Sequence, residues 1–415
     1  MVNAIPQKAK IDQGWLHKRC LKILLLSWEY PPNVVGGLSR HVYGLATRLA
    51  RQGHEIHVLT AGDREWPNYE WKEAVHVHRV RPVNEHDDQF LAWIGGLNVA
   101  MALKGELLAS EIPFDIIHAH DWLVGSAAMA LKEVLSIPLL TTIHATEHGR
   151  NQGIHTEMQN FIHEREVQLI SASDHLIVCS EYMKESLMTL FQVEEKKLTV
   201  IPNGIHLSMI KTSAAKVFPE LTRREYIFSI GRIVREKGFE TIIKAAEIAK
   251  AMNHDYFFVI AGEGPMLEIY RKQIMERNLA QYVAFIGYVT EEEKFSLIQN
   301  CEMMVIPSLY EPFGIVALEA LAQEKPVIVS NIGGMKGIIT HLQTGMIMNP
   351  DDPFSLLEQI EFLRKHRQLA KNIALKGHEV VRSLYDWGQI ASDTSRVMKL
   401  MTIGDTGELN RCNIN

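Results

Sequence analysis

The chain has 415 residues, 47% hydrophobic and 22% charged, a globular composition with more length than one ordinary core holds. A net charge of −6 argues against a nucleic-acid partner, and four scattered cysteines (Cys20, Cys179, Cys301, Cys412) form no disulfide framework or metal spacing, so reduced thiols are expected. Residues 1–20 lack an apolar core of signal-peptide length and no run approaches the ~20 apolar residues of a membrane span, so a cytoplasmic protein with a loose N-terminal arm and no integral membrane segment is expected.

In chain order, Leu21 to Ser27 reads as a buried strand that ends in Trp28-Glu29-Tyr30-Pro31-Pro32. A Gly36-Gly37 turn follows, then a helix over 38–52 capped by Gly53. Strands are predicted at 55–60, 75–80, 115–119, 138–143 and 175–179, with helices near 89–110, 122–135, 156–172 and 181–191. The alternation restarts after Pro202-Asn203-Gly204: strands at 226–230, 256–261, 283–287, 303–306 and 326–330, helices at 239–251, 266–277, 291–300 and 315–323. This is an α/β chain of two tandem, Rossmann-like, doubly wound parallel-sheet domains facing a cleft. The domains are placed at 21–205 and 206–380, with a hinge near 202–225. A helix at 381–402, carrying Trp387, Ile390, Val397 and Leu400, is the candidate to return to the first domain, and 403–415 is a tail.

Ligands of such sheets bind at the carboxyl ends of the strands, so the loops that follow strands carry the chemistry. Glu311-Pro312-Phe313-Gly314 leads into the helix from Ile315, where free first-turn N–H groups and Gly314 make an anion site flanked by Glu311 and by Glu319. Glu319 lies in an almost wholly apolar helix and so needs a partner or a ligand hydroxyl. Gly231-Arg232-Ile233-Val234-Arg235-Glu236-Lys237-Gly238 puts two or three cations at another strand end; the plainer alternative is a solvated loop with an Arg235/Glu236 pair. Two anion sites in one sheet suggest a diphosphate. Ala261-Gly262-Glu263-Gly264-Pro265 fails as a dinucleotide fingerprint and reads first as a turn, while Gly287-Tyr288 offers backbone groups or a ring to a base.

In the first domain, His118-Ala119-His120-Asp121 has the look of a metal site, but His118 and His120 are expected on opposite sides and His144 on another strand, so no metal is expected. His144, ending Thr141-Thr142-Ile143, should reach the cleft unless it is a hydrogen-bonded core histidine. The polar loop Ala145 to Gly153, with Glu147, His148, Arg150 and Gln152, suits a hydroxyl-rich ligand. Gly36-Gly37 is either a permissive turn or a second place where N–H groups meet phosphate or sugar. Walker A, nucleophile-elbow, Asp-x-Asp and His-Glu-x-x-His motifs are absent, which leaves cations, helix N–H groups, carboxylates and one histidine.

Gly231-Arg232…Lys237-Gly238, Pro202-Asn203-Gly204, Gly262-Glu263-Gly264-Pro265 and Glu311-Pro312-Phe313-Gly314…Glu319 together closely resemble the retaining glycosyltransferases of the GT-B fold, family 4. Trp28 to Leu38, His118 to Trp122 and Thr142 to Glu147 narrow the resemblance toward bacterial glycogen-synthase-like members, among enzymes that use ADP-glucose to extend α-1,4-glucans or make maltose 1-phosphate. The resemblance implies a retaining hexosyltransferase that moves a glucosyl unit from ADP-glucose, or UDP-glucose, to an α-glucan or sugar-phosphate acceptor, without metal or other cofactor. Arg232 and Lys237 would hold the leaving diphosphate with the N–H groups of Gly314 and Ile315; Glu319 would bind the ribose, Glu311 the donor sugar, and His144 would lie at the anomeric centre. Gly36 and Gly37 would cover the phosphates and Asp121 would line the sugar site; Asn203, Gly262, Tyr288 and Phe313 complete the donor set, and Glu147 and Arg150 belong to the acceptor side. Two departures stand out: Val34 where longer glycogen synthases carry Lys, and His206 where the family often has Asp. UDP- or GDP-sugar transfer to a small-molecule or lipid acceptor, a nucleotide-sugar epimerase of the same fold, and a non-catalytic glucan- or nucleotide-binding protein are the competing readings.

Overall fold

The computed structural model describes residues 19–87, 89–205, 221 and 224–403. The N-terminal arm, apart from Arg19 and Cys20, most of the hinge, His206 and nearly all of the tail lie outside the described residues. The first domain contains strands β1 (Lys22–Leu26), β2 (Glu55–Ala61), β3 (Tyr69–Lys72), β4 (Val75–Val80), β5 (Ile116–His120), β6 (Leu139–Ile143), β7 (His175–Val178) and β8 (Leu198–Val200). Its helices are α1 (Gly37–Arg51), α2 (Phe90–Ala109), α3 (Gly125–Leu135), α4 (Glu147–Asn151), α5 (Glu157–Ala172) and α6 (Glu181–Leu190). The sheet order is β3-β4-β2-β1-β5-β6-β7-β8, with every pairing parallel except that of β3 and β4. The central strands are buried on both faces, which is why β1 reads as unbroken aliphatics rather than as an alternation.

The second domain has β9 (Ile227–Ile230), α7 (Phe239–Ala251), β10 (Phe258–Ala261), α8 (Leu267–Glu276), β11 (Val283–Gly287), α9 (Glu291–Asn300), β12 (Met303–Ile306), α10 (Ile315–Ala322) and β13 (Val327–Ser330). It continues with α11 (Met335–Ile338), β14 (Met346–Met348), α12 (Pro353–Lys365) and α13 (Arg367–Leu384). Its six strands are ordered β11-β10-β9-β12-β13-β14, all parallel. The order reverses between β9 and β12, so the loops after these two strands flank the crevice that the topology opens.

The last helix, α14 (Trp387–Thr402), packs on the first domain. Trp387, Ile390, Val397 and Leu400 share a core with Val42, Leu45 and Leu49 of α1 and with Leu21. Asp386 caps α14 through the Gly388 N–H at 2.7 Å. Gly44 and Gly204 let the Trp387 ring in: a Cβ on either would stand 2.4 or 2.6 Å from it.

Three expectations need correcting. The stretch after His120 begins as a short 3-10 turn, Trp122–Val124, before α3 starts at Gly125. Gln52 caps α1, and Gly53 follows it with φ +94°. By length and composition α2 is apolar enough to cross a membrane, against the expectation that no run approaches that length. Its Leu97, Met101 and Leu108 pack in the core of the first domain with Leu59 and Leu24, while Val99, Leu103 and Leu107 are exposed.

Candidate active site

The loops at the switch point of the second sheet bring the predicted cations and carboxylates together. Gly238, at φ +67°, lies so near Pro307 that a Cβ would be 2.0 Å from the Pro307 carbonyl oxygen, and the Leu309 N–H donates to the Glu236 carbonyl at 2.8 Å. The two loops are thereby zipped side by side. The Lys237 ammonium donates to Glu311 Oε2 at 2.7 Å, a half-buried ion pair. Arg232 pairs with Glu236 at 3.2 Å and keeps more than half of its side chain exposed, so the plainer expectation of an Arg235/Glu236 pair is corrected: Glu236 turns to Arg232.

Gly314 takes φ +115° directly before α10, and Ala317 is the first residue to donate back, to the Gly314 carbonyl at 2.9 Å. The N–H groups of Ile315 and Val316 therefore have no acceptor within the helix, which leaves a partial positive charge beside the Lys237–Glu311 pair. Behind them, Gly333 and Gly334 press on the 311–313 backbone, and the Gly334 N–H donates to the Glu311 carbonyl at 2.9 Å. Phe313 departs from its predicted role in donor binding: its ring is buried against Tyr385, with centroids 5.9 Å apart, so its side chain is core.

Glu319 does have the partner its apolar helix demanded. The Lys294 ammonium, buried on α9, donates to Glu319 Oε1 at 2.5 Å, and Arg40 Nη1 from α1 of the other domain stands 3.4 Å from the same oxygen. Arg40 and Lys294 also both pair with Glu291. Glu319 Oε2 is buried and has no hydrogen-bond partner, a free acceptor on this carboxylate. Gly37 approaches Ile315 so closely that a Cβ would lie 3.1 Å from Ile315 Cδ1, which sets the glycine turn over the start of α10. The Gly36 N–H, expected to meet phosphate, is instead taken by Glu29 Oε2 at 3.1 Å; the Val35 N–H shares that oxygen at 2.6 Å. Glu29 is buried, and desolvation raises its pKa against those two hydrogen bonds.

Gly262 is a packing turn: its N–H donates to the Gly287 carbonyl at 2.7 Å and a Cβ would stand 1.9 Å from Gly231 O. Tyr288 extends into solvent from the loop after the edge strand β11. Asn203 is buried beside His41.

The opposing wall comes from β5 and β6. Asp121 adopts φ +58°, costly for a non-glycine residue, and its Oδ1 accepts the His144 N–H at 2.8 Å, so this carboxylate holds the loop after β6. Burial pushes its pKa up to about 6 against the pull of Arg150. His144 faces His120, Nε2 to Nδ1, at 3.0 Å, and burial with the nearby Arg150 charge pushes its pKa down to about 3, so it is a neutral hydrogen-bonding group. The expectation that His118 and His120 point to opposite sides is wrong because residues two apart in a strand share a face; their rings are 4.2 Å apart. His118 itself bonds to Thr142.

Glu147 and Arg150 lie on the one-and-a-half-turn α4, 4.0 Å apart, and the loop is fixed from below by Glu166 of α5, whose Oε1 accepts the Glu147 N–H at 2.8 Å. Burial pushes the Glu166 carboxyl up to about 8. From the second domain, Tyr310 inserts against this loop: its hydroxyl accepts the Thr146 N–H at 3.3 Å, and a Cβ on Gly149 would touch its ring at 2.5 Å. Ser180 Oγ donates to the Pro312 carbonyl at 2.6 Å. Glu29, Arg40, Glu166, Lys294 and Tyr310 were not singled out from the sequence. A buried-looking Lys294 amid the Glu291-Glu292-Glu293 run and a tyrosine just before Glu311 were the available signals.

Comparison with known proteins gives the family and the fold. Residues 35–209 match the family model described as Glycosyltransferase Family 4, and residues 211–380 match that of Glycosyl transferases group 1. A glycosyltransferase of Methanocaldococcus jannaschii is 34% identical over 92% of this chain and 98% of its own length. A glycogen synthase of Mycobacterium tuberculosis is 32% identical over 91% and 94% respectively. Among solved structures, sucrose-phosphate synthase from Thermosynechococcus elongatus superposes with a TM-score of 0.80 at 23% identity, over 92% of this chain and 100% of that one. The catalytic domain of Starch Synthase IV from Arabidopsis thaliana, bound to ADP and acarbose, gives 0.74 at 16% over 93% and 100%. At those identities the structures speak to the fold alone.

Proposed function

The chain belongs to the family 4, group 1 glycosyltransferases of GT-B fold, and from that premise we propose that it is a retaining enzyme moving a glucosyl unit from a nucleotide-sugar, ADP-glucose in preference, to an α-glucan or sugar-phosphate acceptor. The observation that carries the reading is the convergence of Lys237, Glu311 and the open N–H groups at the start of α10 on one crevice. Such a cluster stabilises the negative charge that grows on a departing diphosphate, where preorganised donors contribute most. The exposed Arg232 fork reaches the same phosphates, and Glu311, released from Lys237 when the diphosphate takes the ammonium, turns to the sugar hydroxyls. Glu319 Oε2 accepts from the ribose, with its other oxygen fixed by Lys294.

Neutral His144 hydrogen-bonds the donor sugar and presents no cation to the oxocarbenium-like centre. The acceptor hydroxyl attacks from the side on which the diphosphate leaves, and a phosphate oxygen takes its proton, so no side chain serves as nucleophile. Protein cations and helix N–H groups supply the positive charge, and no divalent ion is required. The 32% identity to a glycogen synthase supports the glucan acceptor.

The test is nucleotide release from ADP-, UDP- and GDP-glucose against glycogen, maltose and glucose 1-phosphate, with and without EDTA. The expected result is acceptor-dependent release of ADP that survives EDTA, with an α-linked product. Donor turnover without any acceptor would instead favour epimerase chemistry.

A further inference from the structure

The first domain's wall of the cleft holds more imidazole than sugar binding uses. His41 of α1, His120 at the end of β5 and His144 after β6 each offer a ring nitrogen, and the three lie within 4.8 Å of one another. The His41 and His144 rings meet edge to face at 4.6 Å, and His120 stacks beside His144 at 5.4 Å. His41 Nδ1 is buried without any hydrogen-bond partner, an arrangement that costs stability unless something binds there. Asp121, next in the chain to His120, is committed to the His144 backbone.

We propose that His41, His120 and His144 form a binding site for one borderline-soft divalent transition-metal ion of the Zn²⁺ or Co²⁺ kind, with its fourth position open to the cleft. A ligand set of three nitrogens suits those ions and disfavours Mg²⁺ and Ca²⁺, which take oxygen ligands. Metal–nitrogen bonds of about 2.0–2.1 Å place tetrahedral ligands about 3.4 Å apart, so the 3.0 Å His120–His144 pair already has nearly that spacing. His41, within 4.8 Å of the other two, closes a remaining gap of at most about 1.4 Å by rotating its ring on α1. The ion replaces the His120–His144 hydrogen bond with two metal bonds and occupies the ring that the proposed reaction needs. It is therefore an inhibitory occupant and not a cofactor. The site stands on geometry alone; only its inhibitory consequence rests on the functional reading above.

The experiment is titration of the chelator-treated full chain with Co²⁺, followed by visible absorption. One equivalent should bind with the intense bands of four-coordinate Co²⁺, displaced by one equivalent of Zn²⁺. His41→Gln and His120→Gln should each weaken binding by at least about tenfold, while His118→Gln, whose ring stacks on His120 outside the triad, should retain it; circular dichroism of each variant checks folding. Weak six-coordinate bands, or binding equal in folded His41→Gln and in the parent, would overturn the site. In parallel, Zn²⁺ should inhibit nucleotide release and EDTA should restore it. Stoichiometric Co²⁺ binding without Zn²⁺ inhibition upholds the site and instead removes His144 from the sugar pocket.

Discussion

Lys237 and Arg232 are both cations of one loop, yet their surroundings assign them different sensitivities. Lys237→Ala strips Glu311 of its partner and the crevice of its nearest charge, and Arg232→Ala removes an exposed fork held only by Glu236. Each should lower turnover by about 10²–10³-fold, the size of effect seen when a preorganised donor is lost. Thermal melts should separate them: an exposed pair is worth about 0–1 kcal/mol, so Arg232→Ala should melt with the parent. Near-normal turnover in both variants would sink the phosphate role. Glu166 gives a pH signature. Its carboxyl, pushed up to about 8 by burial, holds a proton in the folded state that the unfolded chain releases near its ordinary value of 4.5. Its contribution to stability is therefore complete below about pH 4.5 and is lost as the pH rises through 8. Glu166→Gln keeps the acceptor for the Glu147 N–H and abolishes the titration, so its melting temperature should fall less than the parent's between pH 6 and 9. Parallel curves would refute this origin.

At the scale of elements, the start of α10 depends on one backbone conformation. Gly314 sits at φ +115°, and a Cβ would lie 2.6 Å from Met335 Sδ. Gly314→Ala should cost about 1–3 kcal/mol in urea unfolding, chiefly as backbone strain, and pairing it with Met335→Ala should recover little, since the flexible thioether can move whereas φ cannot. Full recovery in the pair would show that packing, not strain, is at stake. The same loop illustrates what a sequence makes legible. The strand Met303–Ile306 and the helix after Gly314 were readable because local periodicity and glycine chemistry act within a few residues. Short edge strands such as β3 and β14 carry little periodicity, and α12 and α13 were passed over. The partners of Glu319 were illegible for another reason. Lys294 is 25 positions away and Arg40 is 279, so only the fold brings them to that carboxylate.

Over the whole molecule, one buried apolar cluster runs through both domains, including Val178 and Met183 of the first and Phe313 and Tyr385 of the second, and specific contacts join it: Arg40 to Glu319, Tyr310 to the Thr146 loop, Ser180 to Pro312, and Gly37 over Ile315. These specific contacts surround the crevice, so ligand binding and part of the domain contact act on the same groups. Trp387 does a different job, buried between Gly44 and Gly204 in the core of the first domain, with its ring edge to face with His41 at 5.4 Å. Trp387→Ala should cost about 3–5 kcal/mol, read as an earlier urea transition of the first domain. An unchanged transition would mean that α14 contributes nothing to that core.

The return of α14 also fixes an order of assembly. On a ribosome, the strands of the first domain emerge first, but the helix that closes their core against α1 is made only after the whole second domain. The second domain can thus complete itself while the first still waits with Val42, Leu45 and Leu49 uncovered. The half of the molecule begun earliest is the half finished last.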